Sequence, residues 1–214
     1  MKHVLMVWGG WEGHEPRQCV ARFEPCLAEQ GFNVTVADTL SVFANAERLC
    51  SFDLIVPCWT MGQLQPEEEA GLIDAVRAGT GIAGWHGGMG DAFRNNPNYQ
   101  FMTGGQFVEH PGGIIEYTVH IIRPEDPIVD GIQDFNISSE CYYMHVDPSN
   151  EVLATTTIAG DPYAWVEGCV MPVVWKRAYG EGRVFYSALG HVAADFDVKP
   201  CFDMMKRGML WACR

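Results

Sequence analysis

The chain has 214 residues, of which 48% are hydrophobic and 19% charged, a composition typical of a globular protein with one folded domain. Its net charge of −13 disfavours nucleic acids and other polyanions as partners, because like charges repel, and it favours a neutral or cationic small molecule. No run of about 18 apolar residues is present, so no membrane-spanning helix and no membrane partner is expected.

The first half of the chain alternates apolar runs of strand length with runs of helical spacing. The expected strands are residues 3–8, 33–38, 52–57 and 80–85. The expected helices are residues 15–30, 41–49 and 66–78, with Ser41 capping the second and Pro66 opening the third. This alternation predicts an α/β fold with a parallel sheet and helices on both faces.

The second half of the chain is richer in β-structure. Strands are expected at residues 114–122, 134–144, 151–157, 171–179 and 182–189, followed by a closing helix at 198–211. We interpret residues 104–180 as a β-rich extension of the sheet edge, antiparallel in part. The prediction is therefore a single domain over residues 1–214, without internal repeats.

The first apolar run is too short for a signal peptide and lacks a small-residue cleavage site. Eight cysteines are scattered along the chain without a Cys-x-x-Cys pair. Reduced, buried thiols in a cytoplasmic protein are the expectation. Neither a Gly-x-Gly-x-x-Gly nor a Gly-x-x-x-x-Gly-Lys motif is present, so no nucleotide cofactor is expected.

The stretch Gly84-Trp-His-Gly-Gly88 closes the fourth predicted strand with a turn that has His86 at its apex. Gly-x-Ser-x-Gly turns hold the nucleophile of hydrolases in the same way, with glycines that allow close backbone approach. Histidine is a poor nucleophile but a good acid, base or metal ligand. The turn therefore predicts proton transfer or metal binding.

Histidines and tryptophans follow several of the predicted strands. Because ligands bind outside the carboxyl ends of parallel strands, these side chains are expected to share one crevice. Five histidines lie at turns or strand ends: His14, His86, His110, His145 and His191. His3 and His120 lie within strand patterns and are expected to be structural or exposed. A structural role suits any one of the five, but five together favour a site.

Carboxylates could complete either an acid–base set or a divalent-metal site. The candidates are Glu12, Asp91, Glu140, Asp147 and Asp195. Glu140 lies in a polar-to-aromatic run, where a solvated strand residue is the alternative. No His-Glu-x-x-His spacing is present, so a metal such as zinc rests on composition alone.

The remaining candidates would bind substrate. Trp11, Trp59 and Trp85 begin loops and could present a flat apolar face to a sugar ring, although local packing is the alternative for each. Arg94 would orient a ligand oxygen or pair with Asp91.

Most of these residues occur in stretches that resemble the ThuA-like, or trehalose-utilisation, family, and the resemblance extends over essentially the whole chain. The matching stretches are 13–14, 53–59, 84–88, 91–94, 104–111, 139–140, 142–148 and 182–191. The resemblance implies a variant of the class I glutamine amidotransferase fold, a flavodoxin-like three-layer sandwich. It also implies a setting in bacterial sugar catabolism, beside oxidoreductases that make 3-keto sugars.

Carried over by position, His86 stands where the amidotransferase superfamily places its catalytic cysteine, and His191 roughly where it places its catalytic histidine. Without a thiolate in the turn, thioester chemistry on glutamine is not available, and Cys58 lies outside the turn. The resemblance to the fold therefore does not imply amidotransferase activity.

The leading hypothesis is an enzyme that acts on a trehalose-related disaccharide or 3-keto glycoside by acid–base or metal-assisted chemistry. His86, His191 and Glu140 would be catalytic, and the substrate would be bound by His14, His110, His145, Arg94 and the three loop tryptophans. A metal would be held by His14, His86, Glu140 and His191. The alternatives are a non-catalytic sugar-binding or regulatory protein, and a protein with a purely structural zinc. A homo-oligomer is expected only from the frequency of such assemblies.

Overall fold

The computed structural model describes all 214 residues, which form a nine-stranded sheet, a separate two-stranded sheet and six α-helices. The strands are β1 (His3–Gly10), β2 (Asn33–Ala37), β3 (Leu54–Thr60), β4 (Gly81–Trp85), β5 (Gly105–Glu109), β6 (Ile114–Ile121), β7 (Phe135–Glu140), β8 (Tyr143–Val146), β9 (Glu151–Thr157), β10 (Val170–Tyr179) and β11 (Gly182–Ser187). The helices are α1 (Pro16–Glu29), α2 (Ala46–Leu49), α3 (Pro66–Arg77), α4 (His86–Gly90), α5 (Pro97–Thr103) and α6 (Lys199–Ala212).

The large sheet has the strand order β2-β1-β3-β4-β11-β10-β9-β6-β7. Its first five strands are parallel, with registers such as Val4 opposite Leu54, and the pairs from β11 to β7 are antiparallel. The small sheet pairs β5 with β8. The predicted mixed α/β fold with a parallel sheet is confirmed.

The core lies against the parallel strands, where apolar residues are continuous because both faces of such a sheet are covered. Every residue of β4 is buried. Trp85 ends β4 only 1% exposed and packs against Phe23 of α1 and Phe196, with ring centroids 5.1 and 5.7 Å away. Phe23 also stacks on Phe202 of α6, which joins α1 to α6. No helix has the length and apolar character needed to cross a membrane.

The structure differs from the predicted elements in three places. Residues 41–49 form a 3₁₀ turn (Leu40–Ala44) and then α2, capped by Thr39 and Asn45 rather than Ser41, because the Asn45 side chain accepts the Arg48 N–H and starts a new helix. The predicted strand 134–144 is broken at Cys141–Tyr142, beyond which β8 pairs in the other sheet. Helix α5, capped by Asn96, was not predicted, and strand β5 was not predicted individually, although it lies within the predicted β-rich extension at residues 104–180.

Candidate metal centre

Residues from distant parts of the chain meet at the carboxyl ends of the parallel strands. His14 lies in a 3₁₀ turn after β1, His86 is the first residue of α4 after β4, and His191 follows β11. Glu140 ends β7, the last strand in the order of the large sheet. Because Glu140 nevertheless contacts His86, the antiparallel half of the sheet must curve back over the parallel half.

Three imidazoles surround one carboxylate in this cluster. Oε2 of Glu140 lies 3.1 Å from Nε2 of His86, 3.3 Å from Nδ1 of His191 and 3.8 Å from Nε2 of His14. One ligand atom from each of the four residues lies within 4.8 Å of the other three. None of the four side chains is more than 11% exposed. This is the number, type and spacing of groups that bind a divalent transition metal.

The backbone around His86 holds its ring in one orientation. Its φ of 41° lies in the left-handed region, which is unusual for a residue other than glycine. Nδ1 of His86 donates to the carbonyl of Ala188 (2.8 Å), the Tyr186 hydroxyl donates to the His86 carbonyl (3.1 Å), and Tyr142 stacks on the ring at 3.8 Å. A Cβ at Gly87 would lie 2.3 Å from the His14 ring, so only glycine fits beside the two histidines.

These contacts leave two acceptors facing each other. Since Nδ1 of His86 donates to a carbonyl, Nε2 presents a lone pair to the Glu140 carboxylate unless the ring is protonated. Burial lowers the pKa of His86 to about 4, with partial compensation from Glu140, so the ring is neutral near neutrality. A cation between Nε2 and Oε2 would satisfy both atoms.

The charges on Glu140 and His191 are coupled. Burial alone would raise the pKa of Glu140, but the imidazoles of His14 and His191 beside it hold that pKa well below its ordinary value, so Glu140 is ionised. Burial alone would lower the pKa of His191, but Glu140 raises it above its ordinary value. Nδ1 of His191 is nevertheless buried without an aligned hydrogen bond, so this nitrogen is available to bind a cation.

A further set of polar groups orients the cluster. Nδ1 of His14 lies 2.7 Å from Oγ1 of Thr60, which directs Nε2 toward Glu140. Oδ2 of the buried Asp195 accepts from the His191 backbone N–H (2.9 Å) and from the Ser139 hydroxyl (2.5 Å). Asp195 therefore ties the segment that carries His191 to the strand that carries Glu140. Such outer partners are usual around metal-binding histidines.

A pocket of about 110 Å³ opens above the cluster, and both His14 and Glu140 reach it. Its other walls are formed by Trp11, Met61, Asp91, Arg94, Phe107, His110 and Tyr142. Arg94 binds both oxygens of Asp91 (2.6 and 2.7 Å), which offsets its charge and leaves N–H groups for a neutral ligand. Nε2 of His110 lies 3.9 Å from Oε1 of Glu140, and its buried Nδ1 has no partner.

Seven of the predicted site residues thus lie in the cluster or its pocket: Trp11, His14, His86, Arg94, His110, Glu140 and His191. Three others do not. Trp85 lies in the core, so the expectation that it contacts a sugar is corrected: β4 directs its side chain at α1. Trp59 covers Gly9 and Gly62 outside the pocket, and His145 is exposed on β8 opposite Gln106.

Two other carboxylates that were considered also lie outside the cluster. Glu12 is exposed, and Asp147 pairs with Arg177 at 3.2 Å. Tyr142, Phe107 and Met61 line the pocket but were not predicted as site residues. Phe107 and Tyr142 lie in the matching stretches 104–111 and 142–148, which is the one available signal; Met61 is an ordinary apolar residue in the sequence.

Comparison with known proteins gives a consistent result. The family model named ThuA, described as trehalose utilisation, matches residues 3–212. No curated protein matches the sequence. Among solved structures, the chain is similar to a ThuA-like protein from Parabacteroides merdae, with 17% identity over 99% of this chain and 90% of that one and a TM-score of 0.78.

Two further structures extend this comparison. A ThuA-like protein from Bacteroides uniformis has 17% identity over 98% of this chain and 89% of that one, with a TM-score of 0.79. The β-galactosidase from Bacillus circulans sp. alkalophilus contains a similar fold, with 16% identity over 99% of this chain but only 30% of that one and a TM-score of 0.62. At these identities the similarity concerns the fold.

Proposed function

Because the chain belongs to the ThuA (trehalose utilisation) family, we propose that it is an enzyme of sugar utilisation that acts on a trehalose-related disaccharide or its 3-keto form. The catalytic centre in this proposal is a divalent metal, zinc by ligand type, held by His14, His86, Glu140 and His191. The opposed acceptors Nε2 of His86 and Oε2 of Glu140, 3.1 Å apart, are the observation that carries it.

The pocket suits a neutral polyhydroxylated ligand. Arg94 is already paired with Asp91, so it offers hydrogen bonds without an uncompensated positive charge. Trp11 is 48% exposed beside His14, and its indole can lie against a sugar ring. An anionic substrate would find no free cation among the residues that line the pocket.

The chemistry follows from placing a ketone beside the cluster. When bound, a metal would polarise the carbonyl oxygen as a Lewis acid and acidify the neighbouring C–H. His110, at the pocket edge with an unpartnered Nδ1, takes that proton as the general base. The electrons of the C–H bond then form a double bond as the glycosidic C–O bond breaks, and the leaving sugar oxygen takes up the proton that His110 removed. Arg94 orients the hydroxyls of the ring.

The test is metal analysis of the purified protein, followed by incubation with trehalose and 3-keto-trehalose. We expect stoichiometric metal and product from the keto sugar. His86→Ala should lose both while its far-ultraviolet circular dichroism is unchanged. His120→Ala is the matched control, because the His120 side chain is 45% exposed and pairs with Asp134, outside the cluster. Full turnover by His86→Ala would refute the assignment, and binding without product would favour a non-catalytic sugar-binding protein.

A further inference from the structure

A second pocket lies beside the first at the same edge of the sheet. It has a volume of about 250 Å³ and lies between the loop that follows β3 and the loop that follows α4. The chain passes directly from one pocket to the other. Met61 lines the first and Gly62 the second, and Arg94 lines the first and Asn95 the second.

The partition between the two pockets is a fixed piece of backbone. Met61 and Ala92 form an isolated parallel bridge. The Met61 N–H donates to the Asp91 carbonyl and the Phe93 N–H donates to the Met61 carbonyl, both at 2.9 Å. Met61 and Phe93 both have positive φ values, 62° and 51°. Such strain is retained where the surrounding structure enforces it, and it is common at ligand sites.

The two pockets reach the size of a ligand site only together. The pocket over the cluster, at about 110 Å³, falls below the range of about 300–1,000 Å³ that is usual for small-molecule sites. The second pocket alone also falls below it, at about 250 Å³. Combined they provide about 360 Å³, which is within that range and suits a ligand that extends across the partition.

The second pocket has the chemistry of a subsite for a neutral polyol. Four amide side chains line it, those of Gln63, Gln65, Asn95 and Asn96, with one carboxylate and no lysine or arginine. The side chains of Gln63 and Asn95 form no hydrogen bond within the protein, whereas Asn96 caps α5. An amide offers both a donor and an acceptor, which matches a sugar hydroxyl. The absence of a cation in the lining argues against a phosphate or carboxylate ligand.

We infer that this amide-rich pocket binds the second ring of a disaccharide whose first ring lies over the histidine cluster. The inference rests on the proposed function for the identity of the first ring. It goes further by assigning Gln63 and Asn95 to the second ring and by requiring a two-ring ligand for full affinity.

The test compares trehalose with glucose by titration calorimetry on the full chain. Each amide would supply one hydrogen bond worth about 0.5–1.5 kcal/mol, so Gln63→Ala and Asn95→Ala should each weaken trehalose binding about 2- to 10-fold. Glucose binding should not change, because it needs only the first pocket. Gln133→Ala is the matched control: Gln133 is exposed, makes no hydrogen bond and lies outside both pockets.

The outcomes separate this inference from the proposed function. Unchanged trehalose affinity in both variants, or an equal loss for glucose, overturns the second-ring assignment even if 3-keto-trehalose is turned over. Selective loss of trehalose affinity supports it even if no product is ever formed, in which case only the proposed catalysis fails. If trehalose does not bind the unaltered protein, the inference is overturned.

Discussion

The sharpest test of the metal proposal is Glu140→Gln, which keeps the shape of the side chain and removes its charge. In the metal-free protein the glutamine amide can donate to the Nε2 lone pair of His86, where the carboxylate now faces it at 3.1 Å. One hydrogen bond gained is worth about 1 kcal/mol, or about 2–4 °C in Tm for a chain of this size. At a pH above the raised pKa of His191, where His191 no longer carries a charge to pair with Glu140, the metal-free variant should therefore be as stable as the metal-free parent or slightly more stable.

Zinc should stabilise the parent protein much more than the Glu140→Gln variant. Loss of an outer partner of a metal ligand costs about 10- to 100-fold in affinity, so loss of a ligand should cost more than about 100-fold. At zinc equal to 100 times the parent's Kd, binding stabilises the parent by about 2.7 kcal/mol and raises its Tm by about 5–11 °C. At the same concentration the variant would gain at most about 0.4 kcal/mol, or about 1–2 °C.

The assay is differential scanning fluorimetry of chelator-treated protein across a zinc series, with calorimetric titration for Kd. Glu125→Gln, at an exposed position, controls for the loss of one negative charge. A zinc Kd for Glu140→Gln within about twofold of the parent's would show that Glu140 is not a ligand, and the metal proposal would fail with it. A large drop in the Tm of the metal-free variant would instead refute the opposed-acceptor argument.

Three further outcomes are expected from the same structure. Thr60→Val removes the partner of Nδ1 of His14 without removing a ligand, so calorimetry should show a loss of about 10- to 100-fold in zinc affinity, smaller than for Glu140→Gln. Asp195→Ala removes the carboxylate that accepts hydrogen bonds from both His191 and Ser139, so zinc affinity should fall by a similar factor. In that variant, the additional change Ser139→Ala should cause no further loss of zinc affinity. Zinc affinity should also fall as pH is lowered through the raised pKa of His191, by about tenfold per pH unit for each proton displaced, and a pH-independent Kd there would contradict its role.

The parallel half of the fold could be predicted because short sequence patterns are enough to identify its strands. Strands such as β3 and β4 are buried on both faces and appear as uninterrupted apolar runs. Since the carboxyl ends of parallel strands face one edge, the meeting of His14, His86 and His191 followed from strand order alone.

The arrival of Glu140 could not be predicted in this way. It ends β7, at the opposite edge of the sheet from β2 and four strands beyond β11, so its position depends on how the antiparallel half curves. The polar-to-aromatic run around Glu140 and then the resemblance singled it out, whereas periodicity left it as an ordinary strand residue. Long-range curvature of this kind is set by tertiary packing rather than by any short pattern.

Two tryptophans show that prediction from the sequence can also fail at the level of a single residue. Trp11 and Trp85 both follow apolar runs and border glycines, yet Trp11 is 48% exposed and Trp85 is 1% exposed. The difference is that Trp85 is still in the strand, where the alternation of side chains directs it to one face. Trp11 lies one residue beyond β1 and begins the next turn, although its N–H still donates to the Thr60 carbonyl of β3. An error of a single residue in the predicted end of a strand is therefore enough to assign a tryptophan to the pocket instead of the core.

Strained backbone conformations are concentrated around the site. Only four residues other than glycine have positive φ, namely Glu15, Met61, His86 and Phe93. Each is a member of the site, follows one of its histidines or borders one of the two pockets. Unfavourable backbone conformations of this kind cost about 1–3 kcal/mol each and persist only where surrounding contacts enforce them. Because the four lie in three separate loops, they have no common local cause. What they share is the edge of the parallel sheet, so the fold holds the cluster and both pockets in place before any ligand binds.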